Sequence, residues 1–320
     1  MRLVLRSVAL FCVACCGAAL AQSYPAKLVR VIVPDATGGP DVLARLLSPS
    51  LQAQTGQPFV VENRAGANTI VGSEVASKAP ADGYTLLLTT TAFSINPSIY
   101  KKLPYDPLKD FTPITQVSGI EAMIVAVPAS LPVRTLQEFV AEARKDGKVS
   151  WGSPGVGNIM HLSGALLQAK AGTRMLHVPY KGTGPALQAL LSSEVQLISG
   201  PAIVLMPSVQ AGKLRALAYT HHTRAAALPD VPTTAEAGVA GIEMDGGWFG
   251  IFSAAGTSTD IANRVQQEVR RALGEQKVRE RVLGMGTVPV ASSPDEFRKF
   301  VQAQITKYAE LARLANIDPE

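Results

Sequence analysis

Three glycine-bearing turns carry the clearest chemistry in the sequence. Pro34-Asp35-Ala36-Thr37-Gly38-Gly39-Pro40-Asp41, Ser153-Pro154-Gly155-Val156-Gly157-Asn158 and Tyr180-Lys181-Gly182-Thr183-Gly184-Pro185 each follow a strand-like run and open a helix-like one. At such a turn the first helical N–H groups have no intrahelical partner and the positive end of the macrodipole points outward, so an anion binds without any cationic side chain. In open α/β sheets ligands lie beyond the carboxyl ends of the strands, which is where these turns fall. Glycines at such connections can also serve turn geometry alone. Neither Gly-x-Gly-x-x-Gly nor a Gly-Lys-Ser/Thr phosphate loop is present, so the pattern points to a small anion rather than a nucleotide.

Signals for catalysis are sparse. There is no Gly-x-Ser-x-Gly elbow and no His-Glu-x-x-His, and the four histidines are His161, His177, His221 and His222. His161 falls about one turn into the helix after the second glycine turn, where its ring either lines a cleft or serves the core or the cap. His221 and His222 are adjacent, cannot share a metal at helical spacing, and read as exposed loop residues. No metal and no cofactor are expected.

The elements that must position these turns follow from periodicity. Residues 28–33 form a buried-strand candidate, and Leu43, Leu46, Leu47 and Leu51 mark a helix that Pro49 should kink or end early. Phe59 to Val61 is a second strand, residues 72–78 a short helix and 84–89 a third strand, which implies a parallel sheet with right-handed crossovers. Residues 96–113, with Pro97, Pro104, Pro107 and Pro113, read as a linker or surface excursion. A second series follows: a strand at 123–127, a helix opened by the box Thr135…Glu138, a strand at 149–151, a helix at 158–170, a strand at 175–178, a helix at 185–191, and strands at 195–199 and 214–219. Thr233…Glu236 and Ser293…Glu296 are further capping boxes, and Ile261, Val265, Val269 and Leu273 share a helix face. The fold class expected is α/β in two similar lobes, each a central, mostly parallel sheet flanked by helices, with the ligand cleft between them. The helical tail is expected to return to the first lobe.

Composition fits a folded chain: of 320 residues 47% are hydrophobic and 17% charged, and the formal charge is +5. No basic run of five residues occurs, so nucleic acid is not an expected partner. Arg2 and Arg6, the apolar stretch 8–20 and Ala19-Leu20-Ala21 read as a secretory signal peptide over residues 1–21. The apolar run stops too early to span a bilayer. Its removal lowers the charge to +3 and takes away Cys12, Cys15 and Cys16, leaving no thiol for a disulfide, a nucleophile or a Cys-based metal site. The Leu-small-small pattern of a lipoprotein acylation site precedes neither Cys15 nor Cys16. Export without cysteines points to a bacterial periplasm.

The order of local motifs is similar to that of one family. Tyr24-Pro25, Val33-Pro34 with Gly38-Gly39, Glu62-Asn63-Arg64 with Gly66-Ala67, Asp82-Gly83-Tyr84-Thr85-Leu86, Asn96-Pro97 with Tyr100, and Leu103-Pro104-Tyr105-Asp106-Pro107 with Asp110-Phe111 come first. Ser153 with Gly155-Val156-Gly157, His161-Leu162, His177-Val178-Pro179-Tyr180-Lys181-Gly182, Leu214-Arg215-Ala216-Leu217-Ala218, and Leu228-Pro229-Asp230-Val231-Pro232-Thr233 with Glu236-Ala237-Gly238 follow. Together they resemble the Bug, or TctC-type, receptors of tripartite tricarboxylate transporters across essentially the whole mature chain. The resemblance implies a two-lobed, type II-like periplasmic binding protein that closes on a small mono-, di- or aromatic carboxylate and delivers it to a membrane permease, acting as a monomer. It implies lobe 1 over 22–122 and 223–320, and lobe 2 over 123–222. By motif, ligand contacts would come from Ala36, Thr37 and Gly38, with Thr90 and Thr91 after the third strand, and from Ser153, Gly157, Asn158, Tyr180 and Thr183 in the second lobe.

This chain departs from the family pattern at the anchor itself. Asp35 stands where an aromatic residue is common, Gly38-Gly39-Pro40-Asp41 is one residue shorter than Gly-Gly-x-Thr-Asp, Asn68-Thr69 replaces a glycine pair, and Ser193-Glu194 replaces a small pair. A carboxylate at 35 repels an incoming anion unless it points away or meets a cationic ligand group. Two other readings use the same cleft: an exported sensor presenting its closed form to a membrane kinase, and a secreted enzyme with Ser153 as nucleophile and His161 as base. The second lacks an acid to orient the imidazole.

Overall fold

The computed structural model describes residues 24–36, 38–146, 149–225, 228–317 and 319. The expected leader, its three cysteines and the candidate contact Thr37 lie outside the described residues. From the N-terminal side, β1 (Val29–Val33), α1 (Gly39–Thr55), β2 (Phe59–Asn63), α2 (Ile70–Ser77) and β3 (Thr85–Thr90) alternate as the periodicity predicts. Both β2 and β3 pair with β1 in parallel, as expected for crossovers through α1 and α2.

Pro49 does not end α1. The helix runs on to Thr55 because Leu43, Leu47 and Leu51 are all buried in one core, and that packing outweighs the bond lost by the proline. Ser48 Oγ donates to Ala44 O at 2.8 Å in the same turn.

The stretch 96–113, expected as a linker or surface excursion, is irregular over 100–110, but it begins inside α3 (Ala92–Ile99) and ends inside the long strand β4 (Phe111–Ile120). Pro113 sits inside β4, where a proline would break the ladder, but the β4–β10 register shifts between Ile251 and Phe252, the latter being the partner of Pro113. Here β10 is Gly247–Ala254, a strand buried at every residue. The chain between them forms β5 (Met123–Pro128), α4 (Leu136–Asp146), β6 (Ser150–Ser153), α5 (Ile159–Ala171), β7 (Leu176–Pro179), α6 (Thr183–Leu191), β8 (Ile198–Pro201), α7 (Ala202–Gln210) and β9 (Leu214–Tyr219). After β10 come α8 (Thr259–Gly274), α9 (Gln276–Gly284), β11 (Val288–Pro289) and α10 (Pro294–Leu314).

One sheet has the order β11-β4-β10-β3-β1-β2, and the strands of residues 123–219 form the sheets β8-β5-β9 and β6-β7, which meet at the parallel bridge Trp151↔Leu197. The sheets are mixed rather than mostly parallel. Strand β10 is antiparallel to both β3 and β4, and β5 is antiparallel to both β8 and β9. The reason is connectivity. β5 and β10 are the strands by which the chain enters one sheet directly from the other, so each runs away from the edge where β1 to β4, or β6 to β9, end.

The two crossings lie side by side: Gly246 N–H donates to Ile120 O, and Met123 N–H to Thr220 Oγ1, both at 2.9 Å. Helix α10 opens with the expected box, Ser293 Oγ accepting from Glu296 N–H and the Glu296 carboxylate from Ser293 N–H. Its first half packs Phe297 and Val301 with Ile32, Leu87 and Phe252 of the six-stranded sheet. Its second half packs Tyr308 and Ala312 with Ile124 and Ile159, so the tail returns to both groups of strands. The box at Thr233 also forms, but it closes a single turn that stops at Gly238, where φ is +79°.

Candidate functional site

The turns after β1, β2 and β3 lie at one edge of the six-stranded sheet because those strands are parallel. The turns after β6 and β7 lie together for the same reason. Three contacts bring the two edges against each other. Asn68 Nδ2, after β2, donates to Gly157 O at 3.1 Å. The Ile99 side chain fills the space where a Cβ of Gly157 would stand. A Cβ on Gly247, whose φ is +119°, would meet Thr91 Oγ1 at 2.6 Å and Ile159 Cδ1 at 3.6 Å.

On the β6 side, Trp151 and His177 are register partners of the β6–β7 ladder, and their rings stack at 4.2 Å. His161, from the first turn of α5, lies 4.4 Å from His177 and 5.7 Å from Trp151. Gly164 lies against the face of the Trp151 ring, leaving no room there for a side chain on α5. Burial and the neighbouring His161 ring depress the His177 pKa from 6.5 to about 4, and burial lowers that of His161. Both imidazoles are therefore neutral near pH 7. His161 Nδ1 accepts from Gly157 N–H at 3.2 Å, which places its proton on Nε2.

Ser153 is fully buried. Its Oγ accepts from Gly155 N–H at 3.2 Å and lies 3.1 Å from Gly155 O and 2.7 Å from His177 Nε2. The hydroxyl has one proton, so it donates either to the carbonyl of its own turn or to the imidazole on β7, and in both cases it is engaged by the protein. The serine's imidazole partner is His177 rather than His161, and among the described residues no carboxylate bonds to either ring. The arrangement shapes a loop; it does not assemble a nucleophile, base and acid.

The remaining motif residues divide the same way. Asn158 Oδ1 caps Met160 N–H at 2.9 Å, and Thr90 Oγ1 accepts from Ala92 N–H at 3.3 Å. Thr91 Oγ1 is buried and accepts from Trp248 N–H at 2.8 Å, fixing β10 to the end of β3. The Tyr180 hydroxyl is buried without a hydrogen-bond partner among the described residues, and its ring lies against Gly152. Burial, and then the charge of Glu194, raise its pKa above the ordinary tyrosine value. Ala36 is exposed, Gly38 caps α1 through its carbonyl, and Thr183 opens α6 with no side-chain cap bond. Around Gly182 and Gly184 there is open space.

On the six-stranded side the loop after β2 is the feature that the spacing of glycines did not reveal. Ala67, Asn68 and Thr69 have φ of +45°, +47° and +77°, a left-handed run of three non-glycine residues in which Ala67 and the β-branched Thr69 are strained. It is held by Asn96, fully buried, whose Nδ2 donates to Asn68 O at 2.9 Å while its Oδ1 accepts from Asn68 Nδ2 at 2.8 Å. The sequence signal was Asn68 itself, since asparagine is among the few residues that tolerate this conformation. His177 had no such signal, because its place beside Trp151 depends on strand register.

The corner formed by β1, β2 and α1 is charged. Asn63 Nδ2 donates to Asp35 O and to Asp41 Oδ1, both at 2.8 Å, and Arg45 holds Asp41 at 3.0 Å and Asn63 Oδ1 at 2.9 Å. The Arg45 hydrogen bond keeps the Asp41 carboxyl below its usual pKa, and Arg30, then Arg64, do the same for Glu62. The carboxylate of Asp35 folds back over Gly38, occupying the space a Cβ there would need. An open depression of about 800 Å³ lies elsewhere, between α8, α10 and the strand edge, lined by Gln116, Gln266, Arg270, Glu296 and Phe300. It touches none of the glycine turns. Among the described residues no cluster of His, Cys, Asp or Glu is arranged to hold a metal ion, and no helix is long and apolar enough to cross a membrane.

Known proteins share this arrangement. Residues 43–317 match the model of the tripartite tricarboxylate transporter family receptor, TctC. Protein BugT of Bordetella pertussis is 33% identical over 297 residues, covering 92% of this chain and 90% of its own. The solved structure of the periplasmic binding protein BugD has a TM-score of 0.82 at 31% identity, over 93% of this chain and 100% of that one. The structure of R. palustris Rpa4515 with adipate has a TM-score of 0.85 at 32% identity, over the same shares. With its sequence matched by the family model over residues 43–317 and its fold by BugD over 93% of its length, the chain belongs to the TctC, or Bug, family of periplasmic solute receptors.

Proposed function

We propose that this protein takes a small carboxylated solute into the gap between its two sets of strand ends, closes on it, and delivers it to the permease of a tripartite tricarboxylate transporter in the bacterial inner membrane. The observation that supports the reading is the meeting of the loop after β2 with the loop after β6 through Asn68 and Gly157, which brings the turn that opens α2 against the turn that opens α5. The adipate in Rpa4515 supports the ligand class. BugD supports a periplasmic place of work, reached through the leader at 1–21.

In this reading residues 22–122 with those after 247 form one lobe and 123–243 the other, since Ala237, Val239 and Ile242 pack with Val125, Phe139 and Leu217, and the lobes swing about the paired crossings at 120–123 and 244–247. A solute that touches both lobes binds the closed state better and shifts the population toward it. Ala36 and Gly38 face it from the first lobe. Thr183 and the first amides of α5 and α6 face it from the second, with each hydrogen bond to a carboxylate contributing ~1.5–3 kcal/mol. Ser153, Gly157 and Asn158 then act by shaping the turn, and no covalent step is involved.

Thermal unfolding of the leaderless chain across acetate, succinate, adipate, citrate and benzoate tests the reading. A cognate acid at 100 times its Kd stabilises the fold by about 2.7 kcal/mol and raises the midpoint with concentration. Silence across the set and across its amine-bearing counterparts aspartate, 2-aminoadipate and 4-aminobutyrate refutes carboxylate binding. Uptake of the cognate acid into vesicles bearing the permease, dependent on added receptor, tests delivery.

A further inference from the structure

The charged corner contains one carboxylate that the fold leaves unmatched. Asp41 is held by Arg45 and Asn63, and Glu62 by Arg30 and Arg64. Asp35, half-buried and two residues beyond the end of β1, has no cationic partner among the described residues, although its backbone carbonyl is fixed by Asn63. The loop thus fixes the backbone that carries Asp35 and leaves its charge without a cationic partner among the described residues.

The position of that charge bears on which solutes the gap accepts. With the Asp35 carboxylate lying over Gly38, the opening of α1 already faces a negative group. A ligand carboxylate placed there would meet like charge. The turns at 153–158 and 180–185 carry no acidic residue, so a ligand carboxylate is steered to that side of the gap. The opposite side then presents an unpaired anion, which only a cationic ligand group can match.

We propose that Asp35 makes this receptor selective for solutes that carry a cationic amine as well as a carboxylate, the carboxylate held by the turns after β6 and β7 and the ammonium by Asp35. The proposal rests on the carboxylate-receptor reading and narrows its substrate class from organic acids to amino acids. A charge pair across a partly desolvated gap discriminates both by attraction to the amine and by repulsion of the plain acid.

Calorimetric titration of matched pairs into the leaderless chain and its Asp35→Asn variant tests it: succinate against aspartate, adipate against 2-aminoadipate, and butyrate against 4-aminobutyrate. The expected result is that the native protein binds the amine-bearing member of at least one pair about tenfold more tightly, a difference of ~1.4 kcal/mol. In Asp35→Asn that preference is lost while the amine-free acid of the same pair binds more tightly, a gain that a misfolded variant cannot produce. Tighter binding of the plain acids by the native protein, or an amine preference that survives in Asp35→Asn, overturns the proposal and leaves the carboxylate reading standing. Absence of binding by every acid, with or without an amine, overturns both.

Discussion

The two sides of the gap solve the same problem with opposite chemistry. Around the turn after β6, the structure is neutral and buried: Trp151, His177 and His161 stack on one another, and Ser153, Gly155 and Gly157 close hydrogen bonds onto that stack. Around the turns after β1 and β2 it is charged and half-exposed, with Arg30, Arg45 and Arg64 set against Asp41 and Glu62. Exposed ion pairs of that kind contribute little to stability, whereas a fully buried tryptophan contributes a great deal. The contrast assigns rigidity to the β6 side and leaves charge selection to the β1 side.

Breaking the stack should have the largest effect. Trp151→Ala empties the space against Gly164 and removes the surface on which both imidazoles lie, and a loss of ~3–5 kcal/mol in urea unfolding is expected. Glu62→Gln, on the other side, should change stability by less than about 1 kcal/mol in the same measurement. Equal losses would remove the distinction. Next in size is Gly157→Ala. The residue has φ +76° and the Ile99 side chain against its Cα, so an L side chain costs roughly 1–2 kcal/mol in conformation alone and must also push the two edges apart. Carboxylate affinity, measured by calorimetry, should fall at least about tenfold.

The parts legible in the sequence were those with local causes. The β1-α1-β2-α2-β3 series, the Ser293 box and the placement of the glycine turns at strand ends all follow from spacing within a few residues. The parts that escaped depend on distant chain. The start of β4, residues 111–113, reads as linker because Pro113 forbids an uninterrupted ladder, and only the register shift opposite Ile251 and Phe252 admits it. β10 is recruited between β3 and β4 by the return crossing, which no local pattern announces. In the site, glycines mark the turns. The hydroxyls and amides of Ser153, Asn158, Thr90 and Thr91 look free in sequence and are used by neighbouring N–H groups in the fold.

A finer test concerns the one side-chain hydrogen bond described from the β2 loop to the β6 turn. Asn68→Gly removes the bond to Gly157 O but keeps a residue that adopts φ +47° without strain. The bond to the buried Asn96 Oδ1 goes with it, so urea unfolding should show a loss of ~1–3 kcal/mol, while ligand affinity falls by about threefold to tenfold, the worth of one net hydrogen bond in the closed form. Asn68→Ala loses the same bonds and also the tolerance of that φ, so its unfolding midpoint should drop further. An unchanged affinity in Asn68→Gly would mean that the contact follows closure without contributing to it.

The smallest effect expected is a pH dependence confined to the neutral side. His177 has a pKa of about 4 in the fold, against 6.5 for a free imidazole, because its burial and the nearby His161 disfavour its charged form. Between those values the unfolded chain binds a proton that the folded chain does not, so stability is full above pH 6.5 and declines as the pH falls toward 4. The carboxylates lowered by arginine partners, Asp41 and Glu62, start from 3.8 and 4.5, so their contribution is lost only at the acid end of that window and below it, and the interval from pH 7.0 to 5.5 belongs chiefly to the imidazole. Urea midpoints at pH 7.0, 5.5 and 4.5 should therefore decline in the native protein. The decline should be shallower in His177→Gln, whose amide can still meet Ser153 Oγ but cannot take up a proton. Parallel declines in the two proteins would place the acid sensitivity on the charged corner instead and reverse the division of labour between the two sides.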